Sequence, residues 1–170
     1  PGVLTETVAE EIIALTLALF RRIPEGDRLI RSGEYKGWEP DLLLGTSLKD
    51  KIMGIVGLGR IGRWTARLSK ALGMKVIYFN RHRDEEFEAE TDSVYHGIEK
   101  LLEFADVVSM SVALTEETKH MMGKKEFGMM KPSAIFINTA RGGVVNERDL
   151  IEALREKKIA GAGLDVFEDE

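Results

Sequence analysis

Cysteine is absent from the 170 residues, which excludes disulfides, thiolate metal sites and cysteine nucleophiles and is compatible with a reducing cytoplasm. Any redox chemistry therefore needs a cofactor. A surplus of positive charge is missing too: 24 Lys and Arg stand against 29 Asp and Glu, a net charge of −5, which argues against a polycation that binds nucleic acid. Long hydrophobic runs do not occur. The most apolar stretch, residues 12–20, gives way to Arg21 and Arg22, far short of the ~20 residues needed to cross a bilayer, so no membrane span is expected. Residues 1–11 hold Glu6, Glu10 and Glu11 and no basic cluster, so they read as the middle of a chain rather than a secretory signal. Repeats and low-complexity segments are lacking as well. What is present is enough apolar material for a core, 44% of residues, in a length that suits one domain. Glycine is abundant, 17 residues of 170 where ~7% is usual, and the placement of these glycines between apolar runs is informative.

Val8, Ile12, Leu15 and Leu19 form a helical stripe that predicts a long helix over 5–23, capped by Thr5 or Thr7 and broken by Pro24. Residues 25–48, with Gly26, Gly33, Gly37, Pro40 and Gly45, read as a shorter helix and then an extended arm. Tyr35 and Trp38 on that arm either dock a partner or cover the domain's own core. From Lys51 onward, short apolar runs alternate with amphipathic helices. Strands are expected at 52–56, 75–79, 106–110, 134–138 and 160–166, and helices at 60–72, 98–105, 124–130 and 147–157. Five strands separated by helices imply an α/β fold with a doubly wound, mainly parallel sheet of Rossmann type. The acidic run Asp84, Glu85, Glu86, Glu88 and Glu90 reads as a solvated helix face.

Gly57, Gly59 and Gly62 form G-x-G-x-x-G between the strand 52–56 and the helix that opens at Arg60. A strand, a tight turn and a helix N-terminus let bare backbone approach a pyrophosphate while free N–H groups and the helix dipole receive its charge. Arg60 and Ile61 belong to the same turn. Where NAD-binding domains place an acidic residue at the end of the second strand, this chain has Asn80, Arg81, His82 and Arg83. With no carboxylate directly after Phe79 and two guanidiniums able to grip a 2′-phosphate, the expected cofactor is NADP, with NAD possible. The alternative is that Arg81 and Arg83 are surface charges and Asp84 reaches the ribose. Further on, Thr139, Ala140, Arg141, Gly142 and Gly143 follow one strand, and Asp165 through Glu170 close another. An arginine and a carboxylate at neighbouring strand ends can bind a carboxylate substrate and orient a proton donor.

Three runs, G-L-G-R-I-G at 57–62, I-N-T-A-R-G-G-V-V-N at 137–146 and A-G-A-G-L-D-V-F-E-D-E at 160–170, together resemble the D-isomer-specific 2-hydroxyacid dehydrogenases. Within them the chain is most similar to the glyoxylate and hydroxypyruvate reductases, which the opening P-G-V-L-T-E-T-V-A-E and the arm R-S-G-E-Y-K-G-W-E-P also fit. The resemblance covers all 170 residues and implies that 1–170 are the NAD(P)-binding domain of a two-domain family. It places substrate carboxylate binding on Arg141 and the catalytic glutamate on Glu170. Asp165 matches the aspartate that accepts from the nicotinamide carboxamide, and Thr118 fits a cofactor contact, although a capping threonine is equally open. The family's acid-base histidine falls beyond Glu170, and His82, His96 and His120 read as surface or packing residues with no metal-site spacing. Ala113 departs from the family, standing where a proline is usual. The implied reaction is reduction of a small 2-oxo acid; a gluconate-type 2-ketoacid reductase and a non-catalytic dinucleotide sensor are the alternatives. The resemblance also implies a homodimer through the N-terminal helix and the arm 31–48, where Leu42, Leu43 and Leu44 are hard to bury within one domain.

Overall fold

The structure is a computed structural model that describes residues 4–169. Six strands form one sheet, all paired in parallel: β1 (Ile52–Val56), β2 (Lys75–Phe79), β3 (Val94–Tyr95), β4 (Val107–Met110), β5 (Ile135–Asn138) and β6 (Gly161–Leu164), in the order β3-β2-β1-β4-β5-β6. Successive side chains on each strand enter opposite cores. Met53, Ile55, Val107, Ile135 and Ile137 meet α1 (Thr5–Phe20) and α3 (Arg60–Ala71), through Ile12, Phe20 and Ala66. Val56, Val108, Met110 and Phe136 meet the other layer, α5 (Ile98–Phe104), α6 (Lys124–Met129) and α7 (Glu147–Arg155), through Leu101, Leu102, Phe127 and Leu150. A strand covered on both faces needs apolar residues at every position, which is why these strands read as unbroken runs. Phe136 is fully buried and meets Phe127 edge-on, with centroids 5.3 Å apart; burial of a side chain of this size contributes about 1.5–3 kcal/mol.

Four expectations need correction. The first helix ends at Phe20, because Arg22 takes a left-handed conformation (φ 54°), and Pro24 sits in the first turn of α2 (Ile23–Arg31) instead of breaking α1. That position suits proline, whose missing N–H has no helical partner there. Neither Thr5 nor Thr7 caps α1; Leu4 holds the cap position with no side-chain bond. Six strands occur among the described residues, the extra one being the two-residue β3. The acidic run is also more than a solvated face. Asp84 caps α4 (Glu85–Thr91) by accepting from the Phe87 N–H at 2.9 Å, and Glu88 accepts from the hydroxyl of buried Tyr78 at 2.9 Å. Burial raises the Tyr78 pKa to about 12, so the hydroxyl stays a donor to Glu88 while accepting the Asp84 N–H at 2.8 Å.

After α2 the chain runs as an arm without helix or strand to β1. It returns across the end of α1, where the Thr46 N–H donates to the Phe20 carbonyl at 2.7 Å and a Cβ on Gly45 would lie 2.7 Å from that same oxygen. Tyr35 and Trp38 do not cover the domain's core. Trp38 is 80% exposed, and Tyr35, Leu42 and Leu44 are exposed with it. No helix among the described residues is long and apolar enough to cross a membrane.

Candidate functional site

The turn after β1 is built from glycines because backbone fills the space that side chains would need. Gly57 has φ 102°, and a Cβ there would lie 2.6 Å from the Ser111 carbonyl. A Cβ on Gly62 would lie 2.2 Å from the Gly57 carbonyl, so α3 packs directly on the turn. Gly59 differs: a Cβ there meets nothing within 4 Å, which leaves its backbone open to the cleft. No side chain caps α3, so the first-turn amides at Arg60, Ile61 and Gly62 are available to an anion. The residues present thus fit a dinucleotide pyrophosphate.

A cleft of about 610 Å³ opens at the carboxyl ends of β1, β2 and β4, where the strand order turns back and doubly wound sheets bind ligands. Asn80 ties two of its walls together, accepting from the Leu58 N–H at 3.3 Å and donating to the His82 carbonyl at 3.1 Å. On its floor the Ser111 hydroxyl is buried with no hydrogen-bond partner among the described residues, as expected where a ligand group completes the site. Arg81 and His82 line one lip. Arg83 does not line the cleft. It forms two hydrogen bonds to Glu88, at 2.9 and 2.7 Å, and a second ion pair with Glu85. That pairing raises the Arg83 pKa and holds the Glu88 carboxyl below its usual range. Asp84 is equally engaged: the Phe87 N–H and then the Arg63 guanidinium lower its pKa, so the alternative ribose contact has its acceptors occupied.

Thr118 fixes the opposite lip. Its hydroxyl accepts from the Thr115 N–H at 2.8 Å and donates to the Ala113 carbonyl at 2.6 Å, so side-chain bonds hold this turn. Thr118 lines the cleft all the same. Beyond it, β5 ends at Asn138, which is 1% exposed. The Asn138 amide donates to the Arg141 carbonyl at 3.0 Å and accepts from the Ala140 N–H at 3.1 Å, locking the loop that presents exposed Arg141. The Asp165 N–H donates to the Asn138 carbonyl at 3.0 Å, which sets the ends of β5 and β6 side by side, with Thr139 largely buried between strand and loop. Gly142 opens a short 3-10 turn (Gly142–Val144) against the Phe167 carbonyl, only 1.8 Å from where a Cβ would stand. Glu170 lies outside the described residues.

A family model for the D-isomer specific 2-hydroxyacid dehydrogenase NAD binding domain matches residues 13–170. The chain belongs to this family. The glyoxylate reductase of Thermococcus litoralis is 53% identical over the whole of this chain, which covers 53% of that relative. A solved Thermus thermophilus protein superposes with a TM-score of 0.94 at 43% identity, over all of this chain and 53% of that one. The NAD-complexed D-isomer specific 2-hydroxyacid dehydrogenase of Lactobacillus delbrueckii gives 0.87 at 34% identity, over 96% of this chain and 48% of that one. The chain therefore spans about half the length of the relatives it matches.

Within this dehydrogenase domain, sequence reasoning missed three groups. Asn138 was visible only as an amide ending the apolar run Ile135–Asn138, a weak sign of a loop anchor. Glu117 pairs with Arg81 from 36 positions away, a contact that no local pattern announces. His120, read as a surface or packing residue, meets Glu168 at 2.5 Å and holds that carboxyl below its usual range. The Glu168 N–H donates to Glu147 at 2.6 Å, and the His120 N–H donates to the Gly143 carbonyl at 2.9 Å. The loops after β4, β5 and β6 are thus braced to one another. His96 lies against Phe104, and no cluster of metal-ligating side chains occurs among the described residues.

Proposed function

We propose that residues 1–170 form the NADP(H)-binding domain of a dehydrogenase that reduces a small 2-oxo acid such as glyoxylate or hydroxypyruvate. The observation that carries this reading is the pairing of an open glycine turn after β1 with a locked, exposed Arg141 after β5, two strands along the same sheet edge. The turn of Gly57, Gly59 and Gly62 and the amides of Arg60 and Ile61 would hold the pyrophosphate, and Thr118 would contact the adenosine half. Thr139 would support the cofactor from the end of β5, and Asp165 would accept from the nicotinamide carboxamide. When bound, the dinucleotide supplies hydride to the keto carbon. Arg141 binds the substrate carboxylate and polarises the carbonyl, and Glu170 keeps the proton donor charged, a role that the family resemblance gives to a histidine.

Selection of NADP(H) rests mainly on Arg81, because Arg83 must leave both Glu88 and Glu85 to reach a phosphate. In a calorimetric titration, NADPH is expected to bind about tenfold more tightly than NADH, the order of a hydrogen bond to a charged group. The Arg81→Ala variant is expected to lose that margin while keeping its NADH affinity. Equal binding of the two dinucleotides by the unaltered chain would rule out the NADP preference and leave the glycine turn as a general NAD(P) site.

The exposed residues Tyr35, Trp38, Leu42 and Leu44 support a homodimer through α1 and the arm 31–48, since apolar groups on one arm mark an interface. Changing Tyr35 and Trp38 together to alanine is expected to lower the sedimentation coefficient to that of a monomer. An unchanged coefficient refutes the arm as the interface.

A further inference from the structure

Arg81 and Glu117 face each other across the mouth of the cleft. Arg81 stands at the carboxyl end of β2, Glu117 in the loop after β4, and the guanidinium Nη2 lies 3.2 Å from the carboxylate Oε2. They are the only Arg, Lys, Asp or Glu among the described residues that line the cleft. Two cations close by are committed elsewhere, Arg83 to Glu88 and Arg63 to Asp84. Glu117 is also not placed at random, since the bonds from Thr118 to Thr115 and Ala113 fix the backbone on both sides of it. The pair itself is loose: the side chains are 72% and 77% exposed, and an exposed pair is weak and screened by salt.

These observations concern the adenosine end of the cleft and rest on the dinucleotide reading given above. A ribose with a free 2′-hydroxyl leaves the Arg81–Glu117 pair intact and offers Glu117 a hydroxyl to accept from. A 2′-phosphate must take Arg81 for itself. It carries close to two negative charges at neutral pH and makes the stronger charge-assisted bonds, so it displaces the carboxylate. Glu117 is then left unpaired beside an anion of its own sign. We infer that Glu117 is a specificity-determining residue, which sets the choice between NADP(H) and NAD(H) by competing for Arg81 and repelling the 2′-phosphate. The discrimination of this site is therefore a balance between one cation and one anion on opposite lips, and the anion comes from the loop after β4, not from the strand end where a ribose-binding carboxylate is usually sought.

The test is a titration of the intact chain and of its Glu117→Gln variant with NADPH and NADH, and with their adenosine halves, adenosine 2′,5′-bisphosphate and 5′-AMP. Removing the charge is expected to tighten NADPH and the bisphosphate about 3- to 10-fold, while NADH and 5′-AMP change less than about twofold. The gain should shrink when salt is raised from about 50 mM to about 500 mM. An identical melting temperature in the two proteins confirms that the fold is unaltered. Unaltered NADPH affinity in the variant, or an equal change for both dinucleotides, overturns the role of Glu117 even if the chain prefers NADPH. If the unaltered chain instead prefers NADH while Glu117→Gln gains NADPH selectively, the assignment of Glu117 stands and the proposed NADP preference falls. Binding of neither dinucleotide overturns both.

Discussion

Alanine at Gly62 is expected to lower the stability of the domain by about 3 kcal/mol, the upper end for overpacking, and to weaken dinucleotide binding about a hundredfold. The new Cβ would stand 2.2 Å from the Gly57 carbonyl oxygen and 3.2 Å from the Ile55 side chain. The oxygen belongs to backbone that has nowhere to retreat. Gly57 donates its N–H to the Phe79 carbonyl at 2.8 Å, and its own α carbon faces the Ser111 carbonyl at a distance that excludes a side chain. The helix α3 must therefore shift away from β1, carrying with it the first-turn amides proposed to receive the pyrophosphate, and misplacement of about 1 Å is enough to cost two orders of magnitude. Alanine at Gly59 is the contrasting change. Its Cβ enters open space, so stability is expected to stay within about 0.5 kcal/mol while the methyl group obstructs the ligand. Urea unfolding and dinucleotide titration of the two variants separate packing from recognition. A Gly62→Ala protein as stable as the unaltered one would show that α3 does not need its close approach to the turn.

The architecture was legible where each residue's surroundings follow from its own element. Ile52–Val56, Ile135–Asn138 and their partners are buried on both faces, so apolar runs between glycines and amphipathic helices announce them. Val94–Tyr95 is a strand only because β2 offers it an edge; two residues between Ser93 and His96 carry no periodicity of their own. Pro24 is ambiguous in sequence because proline both ends one helix and begins another, and the deciding feature, the left-handed Arg22, is a tertiary outcome. The glycine turn was legible at 57–62 because each glycine answers a local steric demand. The charges around it were not, since which guanidinium is free depends on carboxylates that folding brings near: Glu88 to Arg83, Asp84 to Arg63, Glu117 to Arg81. Sequence displays the cations of a site more readily than their neutralisation.

Lysine at Arg141 is expected to lower turnover sharply without disturbing the domain, whereas alanine at the next residue should disturb both. The Arg141 side chain is exposed, and its one described bond is from Nη1 to the adjacent Ala140 carbonyl at 2.6 Å; the loop is held instead by Asn138, through backbone groups that lysine also has. Stability and dinucleotide affinity should then remain within about 0.5 kcal/mol of the unaltered values, as for surface changes generally. Lysine keeps the charge but loses the planar pair of donors that grips a carboxylate and reaches a carbonyl oxygen. If the proposed function holds, kcat/KM with glyoxylate, measured in a protein of the relatives' full length, should fall about 100- to 1,000-fold, the usual consequence of losing one donor to developing negative charge. Gly142→Ala acts differently. Its Cβ would fall 1.8 Å from the Phe167 carbonyl oxygen and 2.5 Å from the Glu168 nitrogen, so the turns after β5 and β6 must separate. Glu168 is braced by His120 and Glu147, which resists that separation and concentrates the strain on the Arg141 loop. Loss of turnover in Gly142→Ala should therefore come with loss of at least about 3 kcal/mol of stability, and in Arg141→Lys with none. Full turnover in Arg141→Lys would mean that the substrate carboxylate is held elsewhere, and the functional reading of the β5 end would have to be given up.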